Sequence, residues 1–83
     1  MASKRDEMAA FSKLCKAFPK RYCSLDLDMI RYSSDGEVRM TYAAYIDSES
    51  GRNNYLSKQY KTPIEAVDEI LKHFKKGEFN ETD

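Results

Sequence analysis

Two stretches of alternating side chains face each other across a short polar break, and this pairing limits the chain's fold more than any other feature. From Tyr22 onward, Cys23, Leu25, Leu27 and Met29 alternate with Ser24, Asp26, Asp28 and Ile30. After the break, Val38, Met40, Tyr42, Ala44 and Ile46 alternate with Glu37, Arg39, Thr41, Ala43 and Tyr45. A period of two is the mark of a half-buried strand. The break, Ser33-Ser34-Asp35-Gly36, has hairpin-turn composition, with Gly36 free to take a positive φ. Closing the hairpin there sets Met29 opposite Met40, Leu27 opposite Tyr42, Leu25 opposite Ala44 and Cys23 opposite Ile46. One face becomes apolar against apolar, and a slip of one residue would destroy the match. The break is therefore a register-setting turn before it is a loop for chemistry.

Helical periodicity flanks this hairpin. Ser3 is placed to cap a helix, with Asp6 closing a weak capping box. Met8, Phe11, Leu14, Cys15 and Phe18 follow as an apolar stripe that Pro19 terminates. Near the other end, Thr62-Pro63-Ile64-Glu65 is a strong start signal, combining a cap, a proline in the first turn and a capping box. Ile64, Val67, Ile70, Leu71 and Phe74 repeat the stripe, with acidic residues early, basic residues late and Gly77 as the expected stop. Between the hairpin and this helix, Asp47 to Gly51 reads as a turn and Arg52 to Lys61 as a third strand. In that strand Leu56 and Tyr60 are expected inward, with Tyr55, Ser57 and Gln59 outward. Lys58 falls on the inner face and is expected to reach out to water from an edge.

The resulting order is α-β-β-β-α, an α+β fold. Both helices are expected on the apolar face of a three-stranded antiparallel sheet, which is the simplest way to bury all three apolar surfaces. With 83 residues there is room for one core. Residues 1–77 are expected to form a single domain and residues 78–83 a flexible acidic tail.

Composition narrows the function. Lys plus Arg and Asp plus Glu number 14 each, so the basic excess usual for a phosphate-binding protein is missing overall. No apolar run approaches the ~20 residues a membrane helix needs. Met1 to Glu7 is charged and lacks the apolar stretch of a signal peptide. A soluble, cytoplasmic protein is expected, with no membrane partner. Cys15 and Cys23 match no common zinc spacing and are too few for a disulfide scaffold, so they read as buried free thiols. His73, the lone histidine, reads as a helix-end residue that favours the dipole. Asp26 and Asp28 project together from the outer sheet face but lack the further ligands a metal needs, and read as a solvated acidic strip. No phosphate loop or catalytic motif is present. No catalytic residue, metal or cofactor is expected, and the chain reads as a non-enzyme.

The outer sheet face remains. Asp26, Asp28, Ile30, Tyr32, Arg39, Tyr45 and Tyr55 are expected there, and tyrosines beside charges suit a protein-docking surface. The tyrosine-rich hairpin Tyr32 to Tyr45, followed by Lys61-Thr62-Pro63-Ile64 and the helix to Leu71, resembles small α+β proteins of phages and prophages, anti-CRISPR proteins among them. That resemblance implies an inhibitor of a host protein, such as a basic, nucleic-acid-handling defence enzyme, acting in the host cytoplasm. A homodimer through the same face is a further expectation. The element order also resembles the double-stranded RNA-binding domain. On that alternative reading Lys13, Lys16, Lys20, Arg21, Lys58 and Lys61 would meet nucleic acid, although the acidic start of the second helix departs from that family's lysine cluster.

Overall fold

The structure is a computed structural model that describes residues 3–31, 34–48 and 54–74. Helix α1 spans Lys4–Ala17, strand β1 Tyr22–Arg31, strand β2 Val38–Asp47, strand β3 Asn54–Leu56 and helix α2 Pro63–His73. This is the expected α-β-β-β-α order. The strands form one antiparallel sheet with β2 in the middle, β1 on one side and β3 on the other. Tyr32, Ser33, Gly51 to Asn53, Gly77 and the proposed tail all lie outside the described residues.

The hairpin adopts the register that the alternation requires. Cys23 opposes Ile46, Leu25 opposes Ala44, Leu27 opposes Tyr42 and Met29 opposes Met40. Gly36 turns the chain with a φ of 70°, in the region that only glycine enters without penalty. Asp35 fastens the turn: its Oδ1 accepts the Glu37 N–H at 2.9 Å and its Oδ2 accepts from Arg39 at 3.2 Å.

Both helix starts form as their sequences direct. Ser3 Oγ accepts the Asp6 N–H at 3.2 Å. Thr62 Oγ1 accepts the Glu65 N–H at 3.4 Å and donates to Glu65 Oε1 at 2.7 Å. Leu14, Phe18, Val67 and Ile70 are buried as expected, but the first member of each expected stripe is not. In α1 the buried positions are Ala10 and Leu14, continued by Phe18 at the cap, while Met8 is exposed. In α2 they are Pro63, Ala66, Val67 and Ile70, while Ile64 is exposed. The helices pack on each other as well as on the sheet, so the small residues Ala10 and Ala66 take core positions and the larger neighbours are displaced to the rim. A single apolar cluster joins them with Tyr42, Ala44 and Ile46 from β2. Lys13 Nζ on α1 reaches Asp68 Oδ1 on α2 at 3.2 Å across the outer edge of this seam.

The third strand is shorter than expected and faces the other way. Tyr45 opposes Leu56, whereas Tyr42, three residues back, opposes Tyr60, four residues on. One extra residue is thus accommodated between Leu56 and Tyr60, the signature of a bulge. Ser57 sits in that irregularity, buried: its N–H donates to the Ala44 carbonyl at 2.8 Å and its Oγ accepts the Ala44 N–H at 2.8 Å. The extra residue lets Tyr55 and Tyr60 both face inward. Leu56 is outward and exposed. The expected placements of Tyr55, Leu56 and Ser57 are therefore reversed, because strict alternation was carried through a segment that interrupts it. Tyr60 lies inward as expected, and Gln59 bonds Thr41 on the outer side.

Candidate functional site

The outer sheet face carries five cross-strand rows, the first of them Tyr22 with Asp47. Ser24 pairs with Tyr45, Asp26 with Ala43, Asp28 with Thr41 and Ile30 with Arg39. Both helices lie on the opposite face, so these rows meet no helix. At one end Tyr22 is exposed, and its ring meets Tyr45 edge-on with centroids 6.1 Å apart. The Tyr45 hydroxyl donates to Asp47 Oδ2 at 2.9 Å. That bond, with partial burial and the nearby charge of Asp47, pushes the hydroxyl above its ordinary titration range. The ring pair is thereby held in one orientation by a carboxylate. At the other end Ile30 is exposed, and the Arg39 guanidinium bridges Asp35 at 3.2 Å and Glu37 at 3.7 Å.

Between the two ends, Asp26 and Asp28 are exposed and have no hydrogen-bond or ion-pair partner among the described residues. Their Cα atoms lie about 6.6 Å apart along the strand. Ala43, opposite Asp26, is buried although it lies on the outer side. The face thus holds Asp26, Asp28, Ile30, Arg39 and Tyr45 together, as expected. Leu56 and Tyr22 belong to it as well. Tyr22 was legible as the first residue of the alternation, and Leu56 was hidden by the bulge. Tyr55 does not belong to it, and Tyr32 lies outside the described residues.

Tyr55 instead forms part of a polar cluster on the inner side. Glu69 of α2 accepts the Tyr55 hydroxyl at 2.5 Å, the Tyr60 hydroxyl at 2.8 Å and the Lys58 N–H at 2.9 Å. Burial acts to raise the Glu69 pKa, but these three hydrogen bonds and the Lys58 charge outweigh it and hold the carboxyl below its ordinary value. The same bonds, with desolvation, push the Tyr55 and Tyr60 hydroxyls upward. His73 stacks on Tyr55 with centroids 4.3 Å apart and meets Phe74 edge-on. A shallow recess of about 320 Å³ lies here, lined by Tyr55, Lys58, Tyr60, Glu69, Lys72 and His73. Chemically this is a clamp. A general acid or base is tuned toward neutral pH, and here both the carboxylate and the phenols move away from it. Sequence reasoning missed Glu69 because its three partners come from a segment whose facing cannot be read from alternation.

A larger open groove of about 720 Å³ runs between the helices, lined by Asp6, Ala9, Ala10, Lys13, Lys61, Thr62, Pro63 and Ile64. Its walls are largely alanine, proline and isoleucine, with no cluster of ligating or nucleophilic groups. Among the described residues no group of three or more His, Cys, Asp or Glu side chains is placed to hold a metal ion. No described helix is long and apolar enough to cross a membrane. Of the basic residues considered for nucleic acid, Arg21 is buried at 8% exposure, Lys13 is paired with Asp68, and Lys13 and Lys61 line the same groove. Cys15 and Cys23 are half-buried free thiols, less enclosed than expected, and Cys23 packs against the edge of the core.

Comparison with known protein families, curated proteins and solved structures returns no match. The functional reading therefore rests on the site's own chemistry.

Proposed function

We propose that this chain is a non-enzymatic protein-binding module that docks a partner on the outer face of its sheet. The observation that carries the reading is the unpartnered carboxylate pair, Asp26 and Asp28, set between an anchored tyrosine pair and the exposed Ile30. Aromatic bodies supply contact area at low entropic cost. Unpaired carboxylates steer a basic surface into register and discriminate against acidic ones. The complementary partner is a positively charged protein surface. The groove with which an enzyme holds a nucleic-acid backbone has that chemistry, and a phage or prophage inhibitor of such a host enzyme is the biological setting we favour.

The test is charge reversal. Asp26→Lys with Asp28→Lys should weaken capture of the partner from host lysate about tenfold or more, with an unchanged circular dichroism spectrum. Capture that is undiminished by the double substitution removes the outer face as the docking surface. Retention on a nucleic-acid column that falls steeply with salt would replace the proposal with a nucleic-acid function.

A further inference from the structure

The strand order gives β1 a neighbour on one side only, and its ten residues pair with β2 without interruption. The bonds of β2 fix where the free backbone groups of β1 point. Tyr42 exchanges both of its main-chain bonds with Tyr60, at 2.6 and 2.9 Å, and Ala44 turns its N–H and carbonyl to Ser57, at 2.8 Å each. Both residues therefore direct these groups away from β1. Bonded and non-bonded rows alternate in an antiparallel ladder. Leu27 and Leu25, which oppose Tyr42 and Ala44, thus direct N–H and C=O away from β2, to the open edge. Alternation extends this to Met29. None of these outward groups has a partner among the described residues. Residues 26–31 are all exposed, so no helix covers this stretch. The opposite edge offers far less: β3 has three residues and is interrupted before Tyr60.

We propose that the partner, on the docking function proposed above, contributes an extended basic segment that joins β1 as an antiparallel fourth strand. Charge selects this occupant. A second copy pairing symmetrically about Leu27 sets Asp26 opposite Asp28 of the other copy, and pairing about Asp26 or Asp28 sets that residue opposite itself. Like charges directly opposite destabilise a ladder, and acidic side chains on an edge guard it against self-pairing. Lysine or arginine at alternate positions of the added strand instead meets Asp26 and Asp28 on the outer face. The residues between them fall on the inner face beside Leu25 and the exposed Leu27 and Met29, where β-branched side chains fit. Because Leu25, Leu27 and Met29 carry the outward backbone groups, the bonded rows are those of the inner face. The apolar residues of the added strand therefore make the main-chain bonds, and its basic residues make the side-chain pairs.

The experiment titrates the full chain with the peptide Lys-Val-Lys-Val-Lys-Val-Lys, blocked at both ends, and reads binding by calorimetry. N-methylation of the three valines removes the N–H groups that face β1 and should weaken binding about tenfold or more, whereas N-methylation of three lysines should change it less than about threefold. Met29→Pro, which removes one outward N–H and sets the ring in its place, should bind the unmodified peptide about tenfold or more weakly than Met29→Ala, with circular dichroism confirming the fold. No binding of the unmodified peptide, or equal binding of the two methylated ones, overturns the added strand. If charge reversal at Asp26 and Asp28 still abolishes partner capture in that case, the outer face remains the docking surface without it. A dimer of the chain alone in sedimentation, lost in Met29→Pro, would give the edge to a second copy and equally overturn the proposal.

Discussion

The two ends of the hairpin have the same alternation and the same register, yet opposite environments. At the end nearest the helices, Tyr42, Ala44 and Ile46 are buried. At the turn end, on the same face, Met29 is 70% exposed and Val38 55%. The cause is length. Strands of ten residues reach about 33 Å, whereas helices of 14 and 11 residues reach about 21 and 16 Å. The helices cannot cover the sheet from end to end. The third strand follows the same boundary: β3 pairs with Tyr45 to Asp47 and last touches β2 at Tyr42. Beyond that point, among the described residues, the hairpin is two-stranded and Met29 and Val38 on its helix side are exposed. Alternation therefore tells which face of a strand is apolar, and the cover decides how much of that face is core.

The largest effect belongs to the covered end. Leu14→Ala removes a fully buried side chain and should cost about 3 kcal/mol in urea unfolding. A cost below about 1 kcal/mol would mean that the two ends do not differ in packing.

The Glu69 clamp comes next, since it holds β3 and the segment after it against α2. Glu69→Ala strands two part-buried hydroxyls and releases an exposed N–H to water, and should cost about 1–2 kcal/mol. Its pH dependence has a definite sign. The folded carboxyl titrates below the ordinary value of 4.5, so its contribution is complete above that value and is lost as pH falls through the lower folded one. Tyr55 and Tyr60 act oppositely: their raised folded values contribute below the ordinary 10.0 and are lost as pH rises through the folded values. Wild type should thus lose stability at both extremes, and Glu69→Ala should flatten both limbs. Identical pH profiles for the two proteins would show that the clamp carries no energy.

The smallest effect belongs to the bare end. Met29→Ala should change stability by less than about 0.5 kcal/mol, because little of the side chain leaves water on folding. A cost comparable to that of Leu14→Ala would show that something covers the turn end in solution, and a concentration dependence of that cost would identify a second copy.

The element order, the hairpin register, the positive φ at Gly36 and both helix caps were legible in the sequence, because each follows from chemistry within a few residues. The outer-face grouping of Asp26, Asp28, Ile30, Arg39 and Tyr45 was legible for the same reason: two strands of known register place every side chain. What the sequence left open needed other segments to decide it. Met8 and Ile64 fit a helical stripe but lose their core places to Ala10 and Ala66, since helix-to-helix contact favours small residues in the seam. Tyr55, Leu56 and Ser57 change face because one extra residue is absorbed before Tyr60, and a bulge leaves no mark in the pattern it interrupts. Local periodicity fixes the direction in which a side chain points relative to its own element, and only tertiary packing fixes whether another part of the chain waits there to cover it.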